Sequence, residues 1–208
     1  MAEPRPRHFS MIRSFTVADL ITLANGGAGV ASILSVLEYL VGHDARMLWL
    51  SFGLLPVSLV FDFLDGRVAR WRHKASPLGL QLDSLADVIS FGVAPAVLAF
   101  GVGLRGLLDA VVLVYFVVCG LSRLARYNVT AAELSAGSDK VKYFEGTPIP
   151  TSLALVAVLA VAVGQGAIHD NLPLGAWSVG GATLHPLVLM FALSGTAMIS
   201  KTLRIPKL

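Results

Sequence analysis

The chain has 208 residues, 55% of them hydrophobic and 14% charged, and its mean hydropathy is +0.74. A soluble domain of this length has no use for so much apolar surface, so the composition excludes an ordinary globular protein and places the chain in the membrane class. The net charge of +3 is modest, no nucleic-acid partner is expected, and a single cysteine, Cys119, excludes an intrachain disulfide and reads as a small core residue.

Residues 1–16 form a polar N-terminal segment in which Pro4 and Pro6 discourage an early helix. Within it, His8–Thr16 mixes Phe9, Met11, Ile12 and Phe15 with Arg13, a pattern that suits a short helix lying on the membrane surface or, failing that, a disordered tail. No signal-peptide cleavage site is evident, because this segment runs directly into a long apolar stretch. Residues 17–208 then read as one all-α transmembrane domain. Six spans are expected: Val17–Val41, Met47–Trp71, Leu80–Val102, Gly106–Tyr127, Ile149–Gly164 and Leu184–Leu203. Gly26, Gly27, Ala28 and Gly29 give the first span a small-residue face that lets a backbone or a ligand come close. Lys74–Gly79 is a short connection, with Pro77 near the start of the third helix. Val129–Thr147 is the one long polar loop, and the glycine-rich stretch after Gly164 is an opposite-side loop with weak structure. His8, His43, His73, His169 and His185 are scattered without metal-ligand spacing, and His185, before Pro186, is placed to cap the start of a helix.

An even number of crossings puts both termini on one side. That side collects Arg5, Arg7, Arg13, Arg67, Arg70, Arg72, Lys74, Arg123, Arg126, Lys140, Lys142, Lys201, Arg204 and Lys207, while Arg46 and Arg105 fall on the other. The positive-inside rule makes the basic side cytoplasmic, and a wrong helix count would scramble the segregation.

The chemistry sits in the second and third spans. Asp62, Asp65, Gly66 and Ala69 recur at i, i+3, i+4 and i+7 along one helix face, and Gly79, Asp83 and Asp87 at i, i+4 and i+8 along the next. Carboxylates at membrane depth are costly unless a cation, a partner or a proton meets them. The two helices are antiparallel neighbours with both motifs toward the cytoplasmic end, so the faces can meet, and the small residues leave room between them. Carboxylate oxygens favour hard cations, and four of them exceed the usual need of one Mg²⁺, which suggests two ions, Mg²⁺ or Mn²⁺, with Ca²⁺ able to occupy the same oxygens. Such a pair suits phosphoryl transfer, with Arg70 adding charge beside the phosphates and an aspartate free to take a proton from an attacking alcohol. The alternative is a proton relay or ion pair in a transporter, which would not call for the matching glycines and flanking arginine.

The complete string Asp-x2-Asp-Gly-x2-Ala-Arg-x8-Gly-x3-Asp-x3-Asp, from Asp62 to Asp87, resembles the signature of the CDP-alcohol phosphotransferases. The resemblance implies a six-helix membrane enzyme that moves a phosphoalcohol or phosphatidyl group from a CDP-linked donor to an alcohol and releases CMP. It implies Asp62, Asp65 and Asp83 as metal ligands, and Asp87 as a ligand of the second ion and the general base. It also implies Gly66, Ala69, Arg70 and Gly79 around the CDP, and a homodimer. Thr22 and Asn25, one turn apart on the first span, match a polar pair that faces the nucleotide; a plain helix–helix contact is the other reading.

Outside the signature, Asp83-Ser-Leu-Ala-Asp-Val-Ile-Ser-Phe-Gly-Val-Ala-Pro-Ala96, Gly120-Leu-Ser-Arg-Leu-Ala-Arg-Tyr-Asn-Val129 and Tyr143-Phe-Glu-Gly-Thr-Pro-Ile-Pro-Thr151 resemble the serine-using branch of that family, nearest to its fungal type. The implied substrates are CDP-diacylglycerol and L-serine. The serine carboxylate needs a cation, and Arg123 and Arg126, at i and i+3 on the fourth span, can supply a bidentate fork; positive-inside anchoring explains either arginine alone. Asn128, Lys142 and Glu145 are candidates for the amino group or for loop order. The alternatives are the same reaction with glycerol phosphate or an inositol compound, or an inactive lipid-binding or transport protein. Without the long N-terminal extension of the fungal type, the chain is expected in a prokaryotic cytoplasmic membrane, or in the endoplasmic reticulum if eukaryotic, with its site toward the cytoplasm.

Overall fold

The computed structural model describes residues 16–71, 77–136, 143–200, 202 and 204–206, without the side chains of 69, 70, 77, 131–145 and 204–206. The expected surface helix of the N-terminal segment lies outside the described residues. The first helix, α1 (Val17–Gly42), starts on a capping box: Thr16 Oγ1 accepts the Asp19 N–H at 3.2 Å and Asp19 accepts the Thr16 N–H at 2.7 Å. It ends where His43 turns left-handed (φ 54°) and donates its N–H to the Tyr39 carbonyl. Helix α2 (Ala45–Trp71) returns at once, with Asp44 accepting the Arg46 N–H at 2.9 Å.

The third helix begins at Pro77, as the proline suggested and just ahead of the span expected from Leu80, and is not uniform. It runs as α3 (Pro77–Asp87), a π turn (Val88–Val93) and α4 (Ala94–Val102) without a break. It stops at Gly103 (φ 139°), where a Cβ would lie 2.7 Å from the His169 Cα; Arg105 donates to the carbonyls of Phe100 and Gly101 in the last turn. Helix α5 (Leu107–Ala136) continues well past the expected Tyr127, so much of the supposed loop Val129–Thr147 is helical. Ala131, Ala132, Glu133 and Leu134 are good helix formers and carry the helix past the strongly apolar stretch. The rest of that loop contributes strand β1 (Tyr143–Glu145), paired antiparallel with β4 (Arg204–Pro206).

A 3₁₀ turn (Ile149–Thr151) leads into α6 (Ser152–Gly164). Beyond it the stretch expected to be weakly structured contains a 3₁₀ turn at His169–Asn171 and a hairpin of β2 (Trp177–Val179) and β3 (Ala182–Leu184). Leu184 belongs to that hairpin, so the last span is shorter than Leu184–Leu203: a 3₁₀ turn (Pro186–Val188) and α7 (Leu189–Ile199). The expectation of an all-α chain is thus corrected by two small two-stranded sheets on a mainly helical body.

Among the described residues, four helical stretches are long and apolar enough to cross a membrane: Val17–Gly42, Ala45–Val68, Leu78–Val102 and Leu107–Thr130; Ile149–Gly164 and Pro186–Ile199 are apolar but shorter. The α3–α4 stretch is the central one, with 67% of its apolar window buried against 28% for α2 and 33% for α5. Helix α1 packs along α2 and against the α3–π–α4 stretch, and α5 packs on α7 through an edge-on Phe116–Phe191 pair at 5.2 Å. Trp49, Leu50, Val57, Val60 and Phe63 on α2, and Leu107, Val111, Val114, Val118 and Leu121 on α5, remain exposed, an apolar surface suited to lipid.

Candidate active site

The two aspartate-bearing faces do meet. Asp62 from α2 and Asp83 and Asp87 from α3 each present a carboxylate oxygen, and the three oxygens lie within 4.8 Å of one another. Asp65 stands apart from this trio, near enough for its charge to act on Asp62, Asp83 and Asp87. It is buried, and the Thr22 hydroxyl donates to its Oδ2 at 2.6 Å while Thr22 also reaches the Ala18 carbonyl. Asn25, fully buried on α1, donates from Nδ2 to Asp87 Oδ1 at 3.4 Å, and its own Oδ1 has no partner among the described residues. Thr22 and Asn25 therefore touch the carboxylates themselves, the first at Asp65 and the second at Asp87.

Four carboxylates this close repel one another strongly in a poorly polarisable surrounding. The donor set is oxygen only, with neither imidazole nor thiolate among the grouped residues, and that chemistry suits a hard divalent cation. The residues present fit such an ion.

Gly66 on α2 and Gly79 in the first turn of α3 are half-buried at the same end of the molecule; the side chains of Ala69 and Arg70 are not described. On α5, Arg123 is half-buried within electrostatic reach of Asp87, and its Nε is buried without a partner among the described residues. Arg126, one turn on, is exposed. Asn128 is engaged with α3: it exchanges hydrogen bonds with Ser84 at 3.0 and 3.1 Å and reaches Gln81 at 3.4 Å. Lys142 lies outside the described residues. Glu145 is the last residue of β1, opposite Arg204 in the register, and its side chain is not described. The structure thus gathers Asp62, Asp65, Asp83, Asp87, Thr22, Asn25 and Arg123, and turns Arg126 outward.

Three polar residues of this region escaped the sequence reading. Asp19, buried in the first turn of α1, adds its charge to that of Asp65; the Thr-x-x-Asp capping spacing could have marked it. Ser84 lies between two aspartates and ties α3 to α5. Ser90 sits inside the π turn and donates to the Asn25 carbonyl at 3.0 Å. No sequence pattern announces either serine contact.

Residues 15–196 match the CDP-alcohol phosphatidyltransferase family. The chain belongs to this family. Among its relatives, a CDP-diacylglycerol–serine O-phosphatidyltransferase of Saccharomyces cerevisiae is 47% identical over 203 residues, covering 96% of the chain and 74% of that protein. One of the same name from Methanocaldococcus jannaschii is 35% identical over 71% of the chain and 62% of its own length. An archaetidylserine synthase of Methanothermobacter thermautotrophicus is 35% identical over 70% of the chain and 58% of its own length. The chain thus spans less than two thirds of the two archaeal family members and about three quarters of the yeast one. The aspartates from Asp62 to Asp87 all fall inside the family match.

Proposed function

We propose that the chain is an integral membrane enzyme that transfers the phosphatidyl group of CDP-diacylglycerol to the hydroxyl of L-serine, giving phosphatidylserine and CMP. The convergence of Asp62, Asp83 and Asp87 carries this reading, because it supplies the site that the family's reaction needs. The 47% identity with the yeast serine enzyme, over nearly the whole chain, supports serine as the acceptor.

In this reading Asp62, Asp65, Asp83 and Asp87 would hold two divalent cations, Mg²⁺ or Mn²⁺, which when bound neutralise the diphosphate and the departing CMP. The donor's acyl chains stay in the bilayer while Gly66, Ala69, Arg70 and Gly79 leave room for, and contact, the CDP head. Arg123 receives the serine carboxylate; its unpartnered Nε supports it over the exposed Arg126. Asn128 orders α5 against α3, and Lys142 and Glu145 serve the amino group or its loop. Asp87 takes the serine hydroxyl proton as the serine oxygen bonds to the phosphorus bearing diacylglycerol and the bond from that phosphorus to the CMP oxygen breaks. No Ser, Cys or His is needed as a covalent carrier.

All six apolar helical stretches cross the membrane in this reading, the two short ones included, with the aspartates at the basic, cytoplasmic side and a homodimer as the assembly. The test is CMP release from CDP-diacylglycerol by the purified chain, with and without L-serine, in Mn²⁺ or Mg²⁺ against EDTA. Serine- and metal-dependent CMP with phosphatidylserine as product is the expected result. CMP formed with glycerol phosphate or inositol but not serine would overturn the acceptor; no CMP under any condition would overturn the enzyme.

A further inference from the structure

Asp87 is the last residue of α3, and the chain widens immediately after it. The N–H of Ala94 bonds to the carbonyl of Ile89, five residues back, and the helix resumes as α4. A π turn lodges an extra residue in a helix and rotates the part beyond it by about 100° relative to an unbroken one. The position of Asp87 against α1 and α2 therefore depends on how the turn is held.

The turn packs on several elements, and one of its side chains bonds α1. Ser90, fully buried in the π turn, donates its hydroxyl to the main-chain carbonyl of Asn25 at 3.0 Å. The side chain of the same Asn25 donates to Asp87. The approach exists because residue 29 of α1 is glycine: a Cβ there would stand 2.5 Å from Ser90 Oγ and 2.8 Å from Ser90 Cα. Gly26 brings α1 close to Ala86 as well, with a Cβ at 3.4 Å. Ser90, Asn25 and Asp87 thus form a closed loop of contacts between α1 and the third span, and neither the aspartate signature nor the proposed reaction gives Ser90 a part.

We propose that Ser90 is a positioning residue: its bond to the Asn25 carbonyl, made through the Gly29 gap, locks the π turn to α1 and so fixes where the Asp87 carboxylate stands. The proposal rests on the reading of Asp87 as metal ligand and base. The Ser90 hydroxyl is spent on the Asn25 carbonyl, so its loss should lower kcat while leaving the KM for serine and for CDP-diacylglycerol near the wild-type values.

The test compares the full-length wild type with Ser90→Ala, Ser90→Thr, Gly29→Ala and Ser32→Ala in the same lipid nanodiscs. Ser32 is a control: it is also buried on α1, but bonds Ser51 on α2. Two quantities are read, Mn²⁺ affinity by spin resonance without substrates, and kcat with both KM values. Ser90→Ala should lose about 10- to 100-fold in kcat and several-fold in Mn²⁺ affinity, as removal of an outer partner of a metal ligand does. Ser90→Thr, which keeps the donor, should recover most of both. Gly29→Ala should reproduce the loss with Ser90 intact, and it alone decides the matter if Ser90→Ala does not fold. Wild-type kcat and Mn²⁺ affinity in Ser90→Ala or Gly29→Ala would overturn the proposal, as would an equal loss in Ser32→Ala. A wild type that binds Mn²⁺ but releases no CMP would count against the proposed function, while the Mn²⁺ comparison would still judge the role of Ser90.

Discussion

The two ends of the helical body bury aspartates in opposite ways. At the end away from the aspartate trio Asp109, fully buried in the first turn of α5, accepts hydrogen bonds from the N–H of Gly106 (2.8 Å), the N–H of His185 (2.8 Å) and the His185 ring. The protein itself meets its charge, and the contact ties the start of α5 to the start of the last helix. His185 does stand before a helical turn, but its ring bonds Asp109 rather than capping that turn. Nearby, Tyr39 bonds and stacks on His169, and Arg105 covers the end of α4. At the site end Asp62, Asp83 and Asp87 face one another, and the side-chain hydrogen bond that reaches the trio from the described residues is the long one from Asn25 to Asp87. A carboxylate enclosed by donors is part of the frame; carboxylates that face each other are arranged for something to be bound.

That contrast can be broken most forcefully at the site end. Asp62→Asn and Asp87→Asn should each reduce CMP release by roughly a thousandfold or more, since each removes a ligand or base from the reacting centre. Donor binding separates them: Asp87→Asn should retain CDP-diacylglycerol better, and equal loss in both would reduce Asp87 to a plain ligand. Neither should lower the melting temperature without metal, because removing one of several like charges relieves repulsion.

At the opposite end the effect should appear in stability. Asp109→Ala leaves buried donors unpaired and should cost about 3–5 kcal/mol, read as a fall in melting temperature, with activity per folded molecule unchanged. If activity fell before stability did, that end would not be mere frame. A smaller effect separates the two arginines: Arg123→Lys should raise the KM for serine about tenfold with little change for CDP-diacylglycerol, and Arg126→Lys should do much less. Equal effects would remove the distinction between the half-buried and the exposed guanidinium.

The smallest effect is a pH dependence. Burial, with Arg105 nearby, holds the His169 imidazole below its ordinary value of 6.5. The folded state thus prefers the neutral ring, so its contribution is full above about 6.5 and declines as pH falls through that value toward the lower folded one. His169→Gln should flatten this part of the melting temperature against pH; an unchanged slope would place the titration elsewhere.

Much of this was legible in the residues. The first two spans and the aspartate spacing follow from periodicity and from the cost of charge in lipid, both local properties of the chain. The end of α5 is not legible in the same way, because hydropathy reports where the strongly apolar stretch stops, whereas Ala131–Leu134 continue the helix through residues of high helix propensity. The start of the last span is hidden for a related reason: Leu184 is apolar in a hairpin as well as in a helix, and a short apolar run does not tell the two apart.

The sequence by itself determined the membrane class, the helix faces and the set of carboxylates, because each depends on residue type and on spacing along one segment. Only the tertiary structure decided which side chains those carboxylates meet: Thr22 on Asp65, Asn25 on Asp87, and Arg123 rather than Arg126 turned toward the site. It also decided that His185 meets Asp109 and that Ser90 closes on α1 through Gly29. Those contacts join residues tens of positions apart, and they depend on helix rotation and on the distance of closest approach, which spacing along a single chain does not fix.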